Sequence, residues 1–284
     1  MSAAPATAAE GGSGPRRFIA PARSDVSAAC FAQPLFDGVR GYADLLQGPQ
    51  WPDVATINAR LAVPGQRFVV QDAALLADGL HYEMRIGQGR IATRAENWHD
   101  LFNALIWACH PAIKQALNQQ QCRHIGAMPP GQRNRAQAAL TQFDESGVVV
   151  RVRDAALLAG WDAHDWPALF APAHWQDGGI AIAAVFGHAL LEQGLLPGRR
   201  LLGKCLVVVG DDDAGCLQRV AEAIAAGELL SDPLQLRPLP LLGIPGWQGA
   251  GQGGAALSDA TYFRPLRQGR CYPPPLVARG ALIW

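Results

Sequence analysis

The side chains with the most chemical capacity fall in one short run, Thr93-Arg94-Ala95-Glu96-Asn97-Trp98-His99-Asp100-Leu101-Phe102-Asn103. It joins an alternating segment to an apolar helical one, a junction where polar groups are costly unless satisfied. His99 lies four residues before Asn103 and Asp100 three before it, spacings that share a helix face. An imidazole that titrates near neutral pH beside an acid or amide that orients it suits general acid–base chemistry. With Glu83 and Arg94 from the adjoining segment, the candidate catalytic set is His99, Asp100, Asn103, Glu83 and Arg94. A structural reading stands beside it. Asn97 fits an N-cap that Asp100 answers in a capping-box-like pair, and Glu83 opposite Arg94 fits a cross-strand ion pair.

Further groups carry weaker signals. His188 and Glu192 are four apart in an apolar segment, and offer two metal ligands or one mutual hydrogen bond. Asp144-Glu145-Ser146-Gly147 reads as a turn with Gly147 in the left-handed position; if Glu145 points inward, paired carboxylates can serve acid–base or metal chemistry. Lys114 and Asn118, with Arg94, are candidate receptors for an anion, and Trp98 and Trp247 are candidate pocket walls. Cys109-His110 and Cys122-His124 contain four metal-capable residues, but the intervening helix holds the pairs roughly 16 Å apart, too far for one tetrahedral site.

The elements that must position these groups are read from periodicity and turn residues. Phe68–Val70 predicts a strand, and His81–Arg94 predicts a hairpin turning at Gln88-Gly89, with Ile86 facing Ile91 and Glu83 facing Arg94. Helices are expected over Ala55–Leu61, Asn97–Cys109, Pro111–Gln121, Gly131–Leu140, Ile180–Gln193 and Cys216–Glu228. Val148–Val152 is expected to close a second hairpin, and Leu202–Val209 to be a strand. Pro and Gly crowd the chain beyond Pro238, which predicts an irregular wrap. The expected fold is α+β: a mainly helical single domain over 18–284 with short β-hairpins, preceded by a flexible tail over 1–17.

Composition narrows the function classes. With 284 residues, 49% hydrophobic and 17% charged, the chain has ample core and is neither disordered nor coiled coil. Its 24 basic residues balance 24 acidic ones, which removes the broad footprint of a nucleic-acid or anionic-membrane binder. The six cysteines form no CxxC pair, no secretory signal precedes them, and no apolar stretch reaches a membrane span, so a cytoplasmic protein in a reducing compartment is expected.

The run Asn-Trp-His-Asp-Leu-Phe-Asn-Ala-Leu-Ile-Trp at 97–107, preceded by Tyr82-Glu83 and Thr93-Arg94, resembles the bacterial family known as domain of unknown function 3025. Lys114 with Leu117-Asn118, Phe143–Gly147, Phe186–Leu190, Pro240–Trp247 and Phe263-Arg264-Pro265 extend the resemblance over roughly residues 30 to 270. It implies no activity, cofactor or catalytic residue. The residues themselves favour a hydrolase using acid–base or metal-assisted chemistry on a small-molecule ligand, because no Gly-x-Ser-x-Gly elbow or Cys-His signature supports a covalent route. A noncatalytic anion or ligand receptor, and a buried polar network supporting a partner surface, are the alternatives.

Overall fold

The computed structural model describes residues 18–129, 131–247 and 256–279. The expected tail over 1–17 therefore lies outside the described residues. Tight turns over Ala28–Ala32 and Pro34–Tyr42, then helix α1 (Val54–Arg60), place Phe31, Leu35, Phe36 and Ile57 in the core. Asp53 starts α1 by accepting the Thr56 N–H at 2.7 Å. Strand β1 (Arg67–Val70) is followed by helix α2 (Tyr82–Gly87) and strand β2 (Arg90–Thr93), and the two strands pair in parallel.

This crossover corrects the expected hairpin over His81–Arg94. Gly89 does hold a positive φ of 83°, but it leads from α2 into β2 rather than between two paired strands. The apolar residues Tyr82, Met84 and Ile86 suit alternation, yet local polar contacts favour the helix. His81 Nδ1 accepts the Glu83 N–H at 3.2 Å, and Asp78 holds Arg85 in the last turn at 2.7 Å. Phe68, rather than Ile86, is the register partner of Ile91, and Glu83 does not face Arg94.

Helices α3 (Trp98–Cys109), α4 (Pro111–Ala127) and α5 (Arg135–Ser146) follow. The last begins at a capping box between Asn134 and Gln137, and runs six residues beyond the Leu140 at which periodicity ended it. Asp144 and Glu145 consequently ride its final turn instead of a hairpin turn, and Gly147 has φ −67°, outside the left-handed region. Strand β3 (Gly147–Val152) pairs antiparallel with β4 (Ile180–Val185) and parallel with β5 (Leu202–Val209). It makes no hairpin with Thr141–Phe143, which are helical. Val148, Val149, Val150, Val207 and Val208 are all buried, as expected of strands covered on both faces.

The expected helix Ile180–Gln193 is instead β4 followed by helix α6 (His188–Gly194). A continuous apolar run fits either state, and here β-branched Ile180 and Ile182 belong to a sheet strand. Helix α7 (Asp213–Ala226) packs on α4 and the sheet, ending at Gly227 with φ 74°. Strands β6 (Arg237–Pro240) and β7 (Leu276–Val277) pair with opposite ends of β5. The molecule is thus α+β and mainly helical. Among the described residues the C-terminal part is irregular apart from these short strands and single turns; the rest of the expected wrap, 248–255 and 280–284, lies outside them. No helix of the described residues is long and apolar enough to cross a membrane.

Candidate functional site

Two local devices deliver the polar residues to one place. Asn97 caps α3 by accepting the Asp100 N–H at 3.0 Å, so His99, Asn103 and Trp107 project together. Asp100 does not complete a capping box. Its carboxylate accepts from the Arg94 backbone N–H and Nη2, each at 2.6 Å, and from Nε at 3.0 Å, and so ties β2 to α3. The second device is a close backbone approach. A Cβ on Gly187 would lie 2.5 Å from Ser146 Cα, and the Phe186 and Gly187 N–H groups both donate to the Gly147 carbonyl, at 2.9 and 2.8 Å. That contact sets His188, the first residue of α6, beside Asp144 and Glu145 at the end of α5.

His99 and His188 meet ring to ring, with Nε2 atoms 3.1 Å apart. Glu145 faces both, its Oε1 3.9 Å from His99 Nε2 and its Oε2 3.7 Å from His188 Nε2. Each ring turns its other nitrogen toward an acid. His99 Nδ1–H donates to Glu192 Oε2 at 3.3 Å, and His188 Nδ1 points toward Asp144 Oδ2 at 3.9 Å, without a hydrogen bond. A carboxylate can only accept, so Glu192 fixes the His99 tautomer with its Nε2 lone pair free in the neutral ring. Burial pushes the His188 imidazole down to about 3, which keeps it neutral. Burial also opposes charge on His99, but Glu192 and Glu145 outweigh it and raise that imidazole above its ordinary value. Two Nε2 lone pairs across 3.1 Å repel unless a proton or a metal cation lies between them.

Lys114, on α4, is buried and donates to Asn103 Oδ1 at 2.8 Å and Asp144 Oδ1 at 2.6 Å, with its charge over the Trp107 ring. Burial alone would raise the Asp144 carboxyl; the charge and hydrogen bond of Lys114, with His99 adding to them, reverse this and hold it below the usual range. Asn103 Nδ2 donates to the Tyr82 hydroxyl at 2.9 Å. Among the described residues that hydroxyl has no acceptor for its own hydrogen. Glu83 accepts from Asn118 Nδ2 at 2.7 Å through Oε2, while Asn118 also donates to the Glu83 carbonyl at 2.8 Å. Burial, with Asp144 nearby, raises the Glu83 carboxyl; burial likewise raises Glu145. These groups line one cavity of about 310 Å³, with Arg133 at its exposed rim.

The structure therefore brings His99, Asp100, Asn103, Glu83, Arg94, Lys114, Asn118 and His188 to one cavity. Glu192 stands behind His99 as its hydrogen-bond partner, and shares no ligand position with His188. Arg94 and Lys114 are already paired with acids, so they present no free cationic pair to an anion. Trp98 is buried elsewhere, its Nε1 donating to the Pro21 carbonyl, and Trp247 lines a separate groove beside β4. Tyr82 went unread because its alternation placed it on a strand face. Glu145 enters the site because α5 continues past Leu140. Among the described residues, His99, Glu145 and His188 form a group whose ligand atoms all lie within 4.8 Å of one another.

A family model described as "Protein of unknown function (DUF3025)" matches residues 66–267. Comparison with curated proteins and comparison with solved structures each give no match.

Proposed function

This chain belongs to the DUF3025 family, and from the convergence of His99, His188 and Glu145 we propose that it is a metal-dependent hydrolase of a small substrate. The carrying observation is the 3.1 Å separation of two Nε2 atoms beside a carboxylate. Ligands about 2.0–2.1 Å from a tetrahedral zinc ion stand roughly 3.3–3.4 Å apart; the two Nε2 atoms, 3.1 Å apart, already stand close to that, and Glu145 must bring one oxygen in, from a group that spans up to 4.8 Å. Glu192 hydrogen-bonds His99 as carboxylates commonly do to orient histidine ligands, whereas Asp144 stands 3.9 Å from His188 Nδ1, beyond hydrogen-bond distance. The three residues would hold the ion and leave a position for water, and the ion would supply the Lewis acidity that makes water a nucleophile at neutral pH. The unspent Tyr82 O–H would donate to the oxygen that gains charge as the substrate bond breaks.

The cavity beside the histidine pair favours this reading over a purely structural network, and with Arg94 and Lys114 held by Asp100 and Asp144 an anion receptor would have only the exposed Arg133 at the rim. A reducing, cytoplasmic setting belongs to the same proposal, since the six cysteines are free. The test is equilibrium dialysis of purified protein against zinc, manganese and cobalt, then a panel of small esters, amides and phosphoesters. About one metal per chain is expected, with binding and turnover lost in His188→Ala and Glu145→Ala. Metal binding that persists unchanged in both variants would sink the assignment.

A further inference from the structure

The cavity gathers several carboxylates and does not give each of them a cation of its own. Glu83, Asp100, Asp144 and Glu145 line it, and Glu192 sits directly behind His99. Against these five carboxylates stand Arg94, held by Asp100, Lys114, held by Asp144, and the exposed Arg133 at the rim. A divalent ion at the histidine pair answers Glu145 and Glu192, and Glu83 is left. Among the described residues no cation reaches ion-pair distance of Glu83. Its Oε2 takes one hydrogen bond from Asn118, a neutral donor, while the side chain faces the cavity. Asn118 grips both the carboxylate and the backbone carbonyl of Glu83, so the acid is held in place rather than free to swing into water. A desolvated carboxylate with a fixed orientation and no counter-ion is stabilised most by a cation that arrives with the ligand. Arg133, exposed at the rim, acts on Glu83 only through space and makes no hydrogen bond to the acid.

We propose that the molecule bound in this cavity carries a protonated amine that seats on Glu83. The inference deepens the reading of the cavity as a hydrolase site and names its substrate class: small compounds bearing an ammonium group. Matched probes of one shape separate charge from fit. Benzylammonium, benzyl alcohol and benzoate are titrated at neutral pH into zinc-loaded and metal-free protein, and binding is followed by NMR of the probe. Benzylammonium is expected to bind at least tenfold more tightly than the other two, and Glu83→Gln to abolish that preference. Equal binding of ammonium and alcohol, preference for benzoate, or an unchanged preference in Glu83→Gln overturns the proposal. If Glu83→Gln does not fold, crystals of the wild-type protein soaked with benzylammonium decide. Nitrogen within hydrogen-bond distance of the Glu83 carboxylate supports the assignment, and nitrogen elsewhere, or no bound probe, ends it. Zinc binding is read separately, so loss of the metal with ammonium selectivity intact counts against the hydrolase alone.

Discussion

At the scale of single residues, Tyr82 separates chemistry from architecture. Its hydroxyl accepts from Asn103, which in turn accepts from Lys114, so one face of the phenol is anchored and the O–H is left for the cavity. If that hydrogen meets the developing oxyanion, Tyr82→Phe lowers kcat by about 10²-fold, the cost typical of one lost donor. Zinc affinity should not change, because the lost hydroxyl is hydrogen-bonded to Asn103 and to none of the three ligands. Steady-state kinetics beside a zinc titration measures both. A fall in metal affinity matching the fall in kcat would make Tyr82 a support of the metal centre instead. The same residue shows what sequence cannot supply. His99, Asp100 and Asn103 were legible because their spacing is local to one helix, whereas Tyr82 depends on where α2 docks.

At the scale of elements, the site hangs on two junctions. Gly187 must lie against Ser146, and a Cβ there would be 2.5 Å from a backbone atom that cannot turn aside. Gly187→Ala should cost about 2 kcal/mol, in the range of overpacking, and should weaken zinc binding roughly tenfold by displacing His188. Gly38→Ala is the control, since a Cβ at that position meets nothing within 4 Å. Urea denaturation and metal titration of the two variants give the comparison; equal effects would show that the approach does not set the histidine pair. The other junction is pH-sensitive. Asp78 grips Arg85 in the last turn of α2 and reaches Arg90 in β2, and the Arg85 hydrogen bonds hold its carboxyl down to about 2, from 3.8. A depressed folded-state value means the contribution is complete above the unfolded value and disappears as pH falls through the folded one. The stability difference between wild type and Asp78→Asn should therefore be constant above about pH 5, shrink as pH falls, and vanish only below about pH 2 in acid-denaturation curves. These elements also explain what was legible. Asn97 and the α3 stripe obey local rules, and α3 was readable almost to the residue. Asp144 and Glu145 break one: acids at a helix C-terminus oppose its dipole, so Asp-Glu-Ser-Gly reads as a turn. The helix persists because Lys114, thirty residues earlier, meets Asp144. His99 and His188 are 89 residues apart, and no periodicity in either segment registers their contact.

At the scale of the whole molecule, the family match over 66–267 is narrower than the hydrophobic core, which includes residues on both sides of it. The segment from 18 to 65 braces the backs of the two histidine helices. Phe36 stacks on Phe102 of α3 at 5.9 Å, Trp51 meets Trp98 at 4.7 Å, and Gly194 of α6 is glycine because Leu35 occupies the space a Cβ would need. Arg23 lies over Trp98 and donates to the Leu45, Gln47 and Gly48 carbonyls, which ties the segment's own turns together. Phe31, Leu35, Phe36, Val39, Leu45, Leu46, Ile57 and Leu61 are all nearly fully buried. At roughly 2 kcal/mol each, their burial is on the order of 16 kcal/mol before entropy, as large as the entire net stability of a typical domain. Beyond the match, β7 and Ala278 close the far end of β5. A fragment limited to 66–267 should therefore lack cooperative urea unfolding and near-ultraviolet dichroism, and should bind zinc no better than the His188→Ala variant. A chain covering 18–279 should retain all three properties. If the short fragment unfolds cooperatively with wild-type metal affinity, the leading segment is an accessory and the site is built entirely within the matched region.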